Sequence, residues 1–253
     1  MMGVSHAATG LFTGAMVGYW IGQRPEAMFV CAAVGAGAAL LPDLDEPRSR
    51  VGRSLGAVTE LVSGKLREAS RQAYRRTATE VELRKPQDGG HRHLTHTVPA
   101  CVAFGLVALM LSLLPLGAAL LVLSMSALGL GTAVLKLKKD WGTQKQRRQV
   151  VLGVSILLAM YAYLGADAAP PAWLLGLTVF VGALTHVLGD WLTKSGVPLA
   201  WPFVVRGKRW WMFRSPVAFR TEDRSPVEAG IRVASLAGIP LVMLLSTPMP
   251  PPA

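Results

Sequence analysis

The stretch "GGHRHLTHTVPA", residues 89–100, places three of the five histidines of the chain directly before a long apolar run. The chain has 253 residues, of which 51% are hydrophobic and 16% charged, and its mean hydropathy is +0.39. This composition is too apolar for an ordinary soluble domain, and the length allows several membrane spans. The sequence therefore predicts an all-α, polytopic membrane protein that forms a single integral membrane domain over residues 1–253.

Apolar segments follow one another along the chain, and most are near the roughly 20 residues that cross a hydrocarbon core. They cover residues 7–22, 27–41, 98–115, 117–135, 150–166, 173–189 and 230–247. About six to seven transmembrane helices are therefore expected. In the first segment, every fourth residue from Gly10 to Gly22 is a glycine, which predicts a close contact with another helix.

The positive charges provide an independent indication of topology. Of the 26 Lys and Arg residues, 25 lie within residues 48–92, 136–148 and 194–232. If the apolar segments pair as hairpins, these basic blocks share one face and the tight turns near 23–26, 115–117 and 167–172 share the other. By the positive-inside rule the basic face is cytoplasmic, so we expect a multi-pass protein whose N-terminus is cytoplasmic.

Two basic segments have further features. Residues 46–90 form a basic cytoplasmic insert, and their apolar period predicts an amphipathic helix that lies on the membrane or serves as a solvated topology signal. Its apolar positions are Leu55, Val58, Leu61, Val62, Leu66, Ala69 and Ala73. Residues 191–229 interleave aromatic and basic side chains, which predicts an interfacial segment with a turn at Gly207. Membrane lipids are the expected partners. No specific nucleic-acid binding is expected, because no recognition motif accompanies the net charge of +11.

Histidine and aspartate side chains gather at the ends of four apolar segments, all on the basic face. They are His6, Asp43, Asp45, His91, His93, His96, His186 and Asp190. The topology rests on Lys and Arg alone, so this convergence is a separate observation. Singly, each residue is better explained as a polar residue at a helix end. Together they favour a metal site, and the four-residue spacing of His186 and Asp190 puts that pair on one helical face.

The ligand types indicate the chemistry. Histidine nitrogens mixed with aspartate oxygens suit Zn²⁺ first, with Mn²⁺ or Fe²⁺ as alternatives. The predicted ligands are His6, Asp43, His91, His96, His186 and Asp190. A bound metal lowers the pKa of its water to about 7, so the predicted reaction is attack of water on an ester or phosphoester. Asp45 is the predicted general base and Arg92 the group that stabilises the developing anion. A lipid or another amphiphilic ester is the expected substrate.

Two other classes of function remain open at this stage. A metal-ion or proton transporter also places His and Asp among membrane helices, although here the candidates lie at one face and the middles of the segments carry almost no charge. A non-catalytic membrane protein with a structural metal is the second alternative. Structural zinc has four protein ligands, whereas catalytic zinc keeps one position open for water.

Four blocks, "SHAATG", "LPDLDEP", "HRHLTHT" and "THVLGDWLTKSGVPLAWPF", resemble the motifs of the YdjM-like family of predicted membrane-bound, metal-dependent hydrolases of bacterial inner membranes. The resemblance covers residues 5 to about 203. It implies a hydrolase of the bacterial inner membrane and names no substrate. The matching positions are His6, Asp43, Asp45, His91, Arg92, Thr95, His96, His186 and Asp190. His93 lies where the family varies, so it ranks below His91 and His96.

Overall fold

The computed structural model describes residues 1–49, 51–54, 56–84, 86–134, 142–221 and 225–244, and within these ranges the fold is all-helical. The helices are α1 (Gly3–Met16), α2 (Pro25–Ala38), α3 (Ala57–Thr77), α4 (Glu80–Leu83), α5 (Val98–Ser112), α6 (Pro115–Val134), α7 (Gln144–Leu164), α8 (Ala172–Trp191) and α9 (Pro226–Leu244). Short helical turns cover Val17–Ile21, Leu41–Asp45, Leu94–His96 and Ala166–Ala168. Leu55 of the predicted amphipathic helix and residues 136–141 of the second basic block lie outside the described ranges.

Each predicted apolar segment contains a helix, but the segments differ in their capacity to span a membrane. Among the described residues, three helical stretches are long and apolar enough to cross a bilayer, namely Pro25–Asp45, Pro115–Ala133 and Ala172–Trp191. The apolar helix α5 is shorter, with 15 residues. The expected count of six to seven transmembrane helices therefore has direct support for three of them and otherwise stays a prediction.

Helix α2 is the centre of the bundle and packs against α1, α6 and α8. Its side chains Val30 and Val34 lie in a core with Val122 of α6 and Val179 of α8. Leucines on the outer faces of α5, α6 and α7 are exposed instead. A helix that is apolar all round belongs in a core, and apolar outer faces belong in lipid, so this distribution suits a membrane bundle.

Glycines bring α1 and α2 together at backbone distance. A Cβ atom at Gly14 would lie 2.1 Å from the carbonyl oxygen of Cys31, and one at Gly10 would lie 2.3 Å from the carbonyl oxygen of Gly35. The contact is reciprocal, because a Cβ at Gly35 would lie 2.4 Å from the carbonyl oxygen of Gly10. The predicted close helix contact is thus confirmed, and it fixes the position of α1 relative to the end of α2.

Gly14→Ala should destabilise the protein by about 1–3 kcal/mol, because the new methyl group must push α1 away from the backbone of α2. Gly153→Ala is the matched control, since a Cβ at Gly153 in α7 meets nothing within 4 Å. Its effect should stay within about 1 kcal/mol and favour stability. Thermal unfolding of the detergent-purified variants measures both, and equal midpoints for the two variants would contradict the close contact.

The tight turns meet at one end of the bundle, as predicted. A cavity of about 590 Å³ there is lined by residues of all three turns, including Arg24, Pro115 and Ala172. The Arg24 guanidinium donates a hydrogen bond to the carbonyl oxygen of Asp167 and so joins two of the turns. The histidine-bearing segment ends lie at the other end of the same helices.

Helix α3 corresponds to the predicted amphipathic helix, and its polar face is the one that packs on the protein. Ser70 and Tyr74 are buried, whereas Val58 and Leu61 are exposed. Apolar side chains that face outwards next to a membrane bundle are consistent with contact to the lipid surface, one of the two alternatives that the sequence leaves open.

The chain after α8 forms a tight hairpin and then folds back on the end of that helix. The Ser215 amide donates to the carbonyl oxygen of Trp191 at 2.9 Å. Val205 and Lys208 exchange two backbone hydrogen bonds, of 2.8 and 3.0 Å, around Arg206 and Gly207. Both turn residues have positive φ, 51° and 74°, which is typical of a two-residue type I′ turn. The predicted turn at Gly207 is therefore confirmed.

The buried carboxylate of Glu82 anchors this hairpin to α4. It accepts hydrogen bonds from the backbone amides of Thr79 (2.9 Å), Arg209 (3.1 Å) and Trp210 (2.8 Å). Burial by itself raises the pKa of Glu82, but the amide donors outweigh burial and hold the pKa below its ordinary value. Glu82 is therefore ionised at neutral pH and joins two segments that are distant in sequence.

Glu82→Gln should lower the unfolding free energy at pH 7 by about 2 kcal/mol, because hydrogen bonds to a charged acceptor are lost. Because the pKa of Glu82 is lower in the folded than in the unfolded state, its ionised form stabilises the fold fully at pH values above the unfolded-state pKa of about 4.3. This stabilisation is lost as the pH falls through the folded-state pKa. The difference in Tm between wild type and variant should thus shrink between about pH 5 and pH 3. Glu80→Gln, at an exposed position of the same helix, is the control, and an equal effect there would contradict the anchor.

Candidate metal centre

The beginning of α1, the turn after α2, the loop before α5 and the last turns of α8 meet at one end of the bundle. The structure brings together there five of the predicted ligands, namely His6, Asp43, His96, His186 and Asp190. All of them are buried except Asp43, whose side chain is 26% exposed. Each of the four segment ends for which the sequence predicts ligands thus contributes to one cluster.

His96 and His186 form the centre of the cluster. Their Nε2 atoms lie 3.3 Å apart. Asp43 Oδ1 lies 3.7 and 3.6 Å from these two nitrogens, and Asp190 Oδ2 lies 3.7 and 3.8 Å from them. The two nitrogens form one triangle with the Asp43 oxygen and another with the Asp190 oxygen. A point at the centre of either triangle is roughly 2.1 Å from all three atoms, which is the length of a zinc bond to histidine or carboxylate. The donor set and its spacing therefore fit a divalent metal.

Hydrogen bonds at the opposite edge of each ring determine which nitrogen is left for a metal. His186 Nδ1 donates to the carbonyl oxygen of Ala39 at 2.8 Å. His96 Nδ1 lies 3.0 Å from the Thr95 hydroxyl, which itself donates to Asp45 at 2.6 Å and so accepts from the ring. Both Nε2 atoms are then bare acceptors that face each other. Two lone pairs at this distance repel unless a proton or a metal ion lies between them.

His6 supplies a second indication of a bound cation. Its ring stacks on that of His186, with centroids 3.7 Å apart. His6 Nε2 lies 3.4 Å from Asp190 Oδ1, yet neither ring nitrogen has a hydrogen-bond partner among the described residues. A fully buried imidazole without partners is costly, and a metal ion would remove that cost. His6, His186 and Asp190 form a second group of potential ligands, so the cluster could hold one ion or two.

Asp45 lies behind the cluster and is fully buried. Its Oδ1 atom is 2.7 Å from His91 Nδ1, and its Oδ2 atom accepts from the Thr95 hydroxyl. Asp45 thus orients His91 directly and His96 through Thr95. Since both oxygens are already engaged, the geometry favours a positioning role over the predicted role of general base, which stays a prediction.

His91 lies at the rim of the cluster, where its side chain is 31% exposed. Its ring meets that of His96 edge to face, with centroids 5.4 Å apart. It belongs to neither group of potential ligands, so its predicted role as a ligand has no support from the ligand spacing. Burial lowers the pKa of His91, but the hydrogen bond and the charge of Asp45 outweigh burial and raise the pKa above its ordinary value.

Arg92 reaches the cluster from the same loop. Its Nη2 atom lies 3.3 Å from Asp190 Oδ2 and its Nη1 atom lies 3.4 Å from the Thr193 hydroxyl. The backbone of Arg92 has φ +59°, a left-handed conformation that is uncommon for a residue other than glycine. The loop is therefore held in a strained conformation that directs a guanidinium group towards the predicted metal site.

His93 is separated from the cluster, in agreement with its lower rank in the sequence. Its Nδ1 atom is 2.8 Å from the carbonyl oxygen of His91, and its ring packs between Tyr74 and Trp210. Burial lowers the pKa of His93. This histidine therefore has a packing role next to the site.

Two polar side chains that support the site escaped the sequence analysis. Ser70 of α3 donates to the carbonyl oxygen of Gly89 at 2.6 Å and accepts from the Leu94 amide at 3.2 Å, so it holds the histidine loop at both ends. Ser225 caps the start of α9, as its spacing to Glu228 predicts, and accepts from the Glu228 amide at 3.4 Å. The Glu228 carboxylate instead accepts from the hydroxyl of Ser5, next to His6, at 2.7 Å. No local pattern in the sequence indicates either contact.

The family model described as "YdjM inner membrane protein" matches residues 1–246. The chain belongs to the YdjM inner membrane protein family. No curated protein and no solved structure matches it significantly. The match extends beyond the region that the motif blocks cover, and together with the apolar helices it assigns this YdjM-family protein to the membrane.

His96→Ala and His186→Ala should each reduce bound metal from near one equivalent to a small fraction, because each removes one of the two facing nitrogens. His93→Ala is the matched control, since it removes a buried histidine of the same loop that lies outside the cluster. Metal content is measured by inductively coupled plasma mass spectrometry on folded protein in detergent, purified without chelators and supplied with Zn²⁺, Mn²⁺ or Fe²⁺. A similar loss in all three variants would contradict the assigned ligands.

Proposed function

We propose that this protein is a membrane-bound, metal-dependent hydrolase that cleaves an ester or phosphoester at the membrane surface. The observation that carries the proposal is the pair of bare Nε2 atoms of His96 and His186, 3.3 Å apart and flanked by two carboxylates. This set has open sides towards Asp43 and His91, both partly exposed, so substrate and water can reach it. A closed structural site would lack such access.

The metal in this proposal is divalent, with Zn²⁺ first and Mn²⁺ or Fe²⁺ as alternatives. Its ligands would be His96, His186, Asp43 and Asp190. His6 would be a ligand of a second ion, or would only stack on His186. When bound, the metal would activate water and polarise the scissile group as a Lewis acid. The Arg92 pair with Asp190 keeps that carboxylate directed at the cluster.

His91 is our candidate for the proton-transfer step. Asp45 accepts from its Nδ1 atom and thereby leaves Nε2 as the acceptor of a ring whose side chain is 31% exposed. This arrangement of a buried carboxylate behind an accessible imidazole is typical of general acid–base catalysis. Arg92, 21% exposed at the same rim, can stabilise negative charge that develops on an ester or phosphoester.

The surroundings of Asp43 favour an amphiphilic substrate. A cavity of about 190 Å³ adjoins this carboxylate. It is lined by Gly3, Val4, Leu40, Asp43, Ser49, Val51 and Thr132, a mainly apolar set with polar groups near the cluster. A lipid-derived ester would place its polar bond at the metal ligands and its apolar part against Leu40 and Val51.

The orientation in the membrane is part of the proposal. The cluster adjoins the basic blocks 48–92 and 194–232 in sequence, while the tight turns form the cavity at the other end of the bundle. We propose a multi-pass protein of the bacterial inner membrane with a cytoplasmic N-terminus and a cytoplasmic site.

Hydrolysis should be assayed with detergent-solubilised protein on phosphomonoesters, phosphodiesters, carboxylic esters and phospholipids, each with and without added metal. Asp43→Asn should lower both metal content and turnover. His91→Gln should retain the metal and lose turnover by about 10²–10⁴-fold, because it removes the proton-transfer group. His93→Gln is the control and should retain both.

Other results would select the alternatives. Stoichiometric metal with no hydrolysis of any substrate class would favour a structural metal site in a non-catalytic membrane protein. Metal or proton flux in proteoliposomes that is abolished by Asp43→Asn would favour a transporter. Equal turnover in the His91→Gln variant and the wild type would contradict the acid–base role.

A further inference from the structure

The hairpin after α8 encloses a second cavity, separate from the metal cluster, with a volume of about 610 Å³. Its lining is strongly cationic and aromatic, and includes Arg206, Lys208, Arg214, Trp210, Trp211 and Phe213. The turn conformation of Arg206 and Gly207 and the Glu82 anchor hold this surface in place. The cavity is therefore a built feature of the fold.

The charges in this cavity are arranged to favour an anion. The guanidinium of Arg206 and the ammonium of Lys208 lie over the Trp211 ring, at 5.4 and 4.8 Å from its centroid, so one indole ring contacts both cations. Glu82 is the one carboxylate among the described lining residues, and backbone amides satisfy it. No ion pair engages Arg206 or Arg214 within the part of the chain that the structure describes.

The position of the cavity relates it to the membrane. Helix α8 has 20 residues and spans about 30 Å, the thickness of a hydrocarbon core, so its end at Trp191 lies near the head groups. The segment that carries the cavity hydrogen-bonds to that end through Ser215. Phe203 and Val204, just before the cavity, are 74% and 53% exposed. Exposed apolar residues beside cations are typical of a surface that lies in the interface.

We propose that this cavity binds the phosphate head group of an anionic membrane lipid, with Phe203 and Val204 against the acyl chains. Guanidinium groups match phosphate oxygens in geometry, and Lys208, which also lines the cavity, adds a second cation beside Arg206. A free phosphate would share this chemistry, but it would make no use of the apolar rim. The inference goes beyond hydrolysis, since it requires neither a bound metal nor turnover.

Native mass spectrometry of the full chain in detergent tests this proposal. The probes are phosphatidylglycerol and phosphatidylcholine with identical acyl chains, titrated separately. Phosphatidylglycerol should bind more tightly, and R206A/K208A should weaken it on the order of 30-fold, because each cation near a lipid surface contributes about one kcal/mol. The charge-matched control is K145A/R148A, which removes two cations from the beginning of α7 and should bind as the wild type does.

Three outcomes would overturn the proposal. Equal binding of the two lipids would remove the head-group preference. Equal weakening in both double variants would reduce the effect to net charge. Displacement of phosphatidylglycerol by millimolar inorganic phosphate would assign the cavity to a soluble phosphate compound instead of a lipid. As a further control, R206K/K208R retains both charges and should bind like the wild type. If R206A/K208A does not fold, the single variants R206Q and K208Q measure the contribution of each residue.

Discussion

The approach of His96 and His186 is the constraint on which the rest of the site depends. Backbone and hydroxyl acceptors take the Nδ1 proton of each ring, so the two Nε2 atoms meet as acceptors at 3.3 Å. Two such acceptors repel in a buried place unless a proton or a metal ion lies between them, and carboxylates nearby increase the preference for positive charge. This preference is the physical basis for proposing a metal centre here.

Contacts far from the site position the chain segments that form the cluster. The glycine contact between α1 and α2 sets the distance from His6 to the turn that carries Asp43 and Asp45. Ser70 of α3 holds the loop that carries the remaining histidines. Because the polar groups sit at the helix ends and the middles are apolar, the bundle combines a charged cluster with a membrane environment. The site is therefore a property of how helix ends are assembled.

Local sequence patterns predicted much of this arrangement and missed identifiable parts. The helical segments, the glycine contact, the turn at Gly207 and the lower rank of His93 all follow from spacing, periodicity or motif. No such pattern distinguishes His91 at the rim from His96 in the cluster. Both lie in the same short loop, and they differ only in the direction in which the loop points their rings. The contact of Glu228 with Ser5 was also missed, since residues 223 positions apart share no local signal.

The sequence by itself determined which residues are available and at which end of the bundle they lie. Hydropathy and charge act through the solvent that each segment prefers, and that preference is a property of the segment alone. Only the tertiary structure decided that both oxygens of Asp45 hydrogen-bond to His91 and Thr95. It also decided that His6 stacks on His186 and that Glu82 anchors the hairpin. These roles depend on distances of a few ångströms between side chains from different segments, and such distances exist only once the helices are packed.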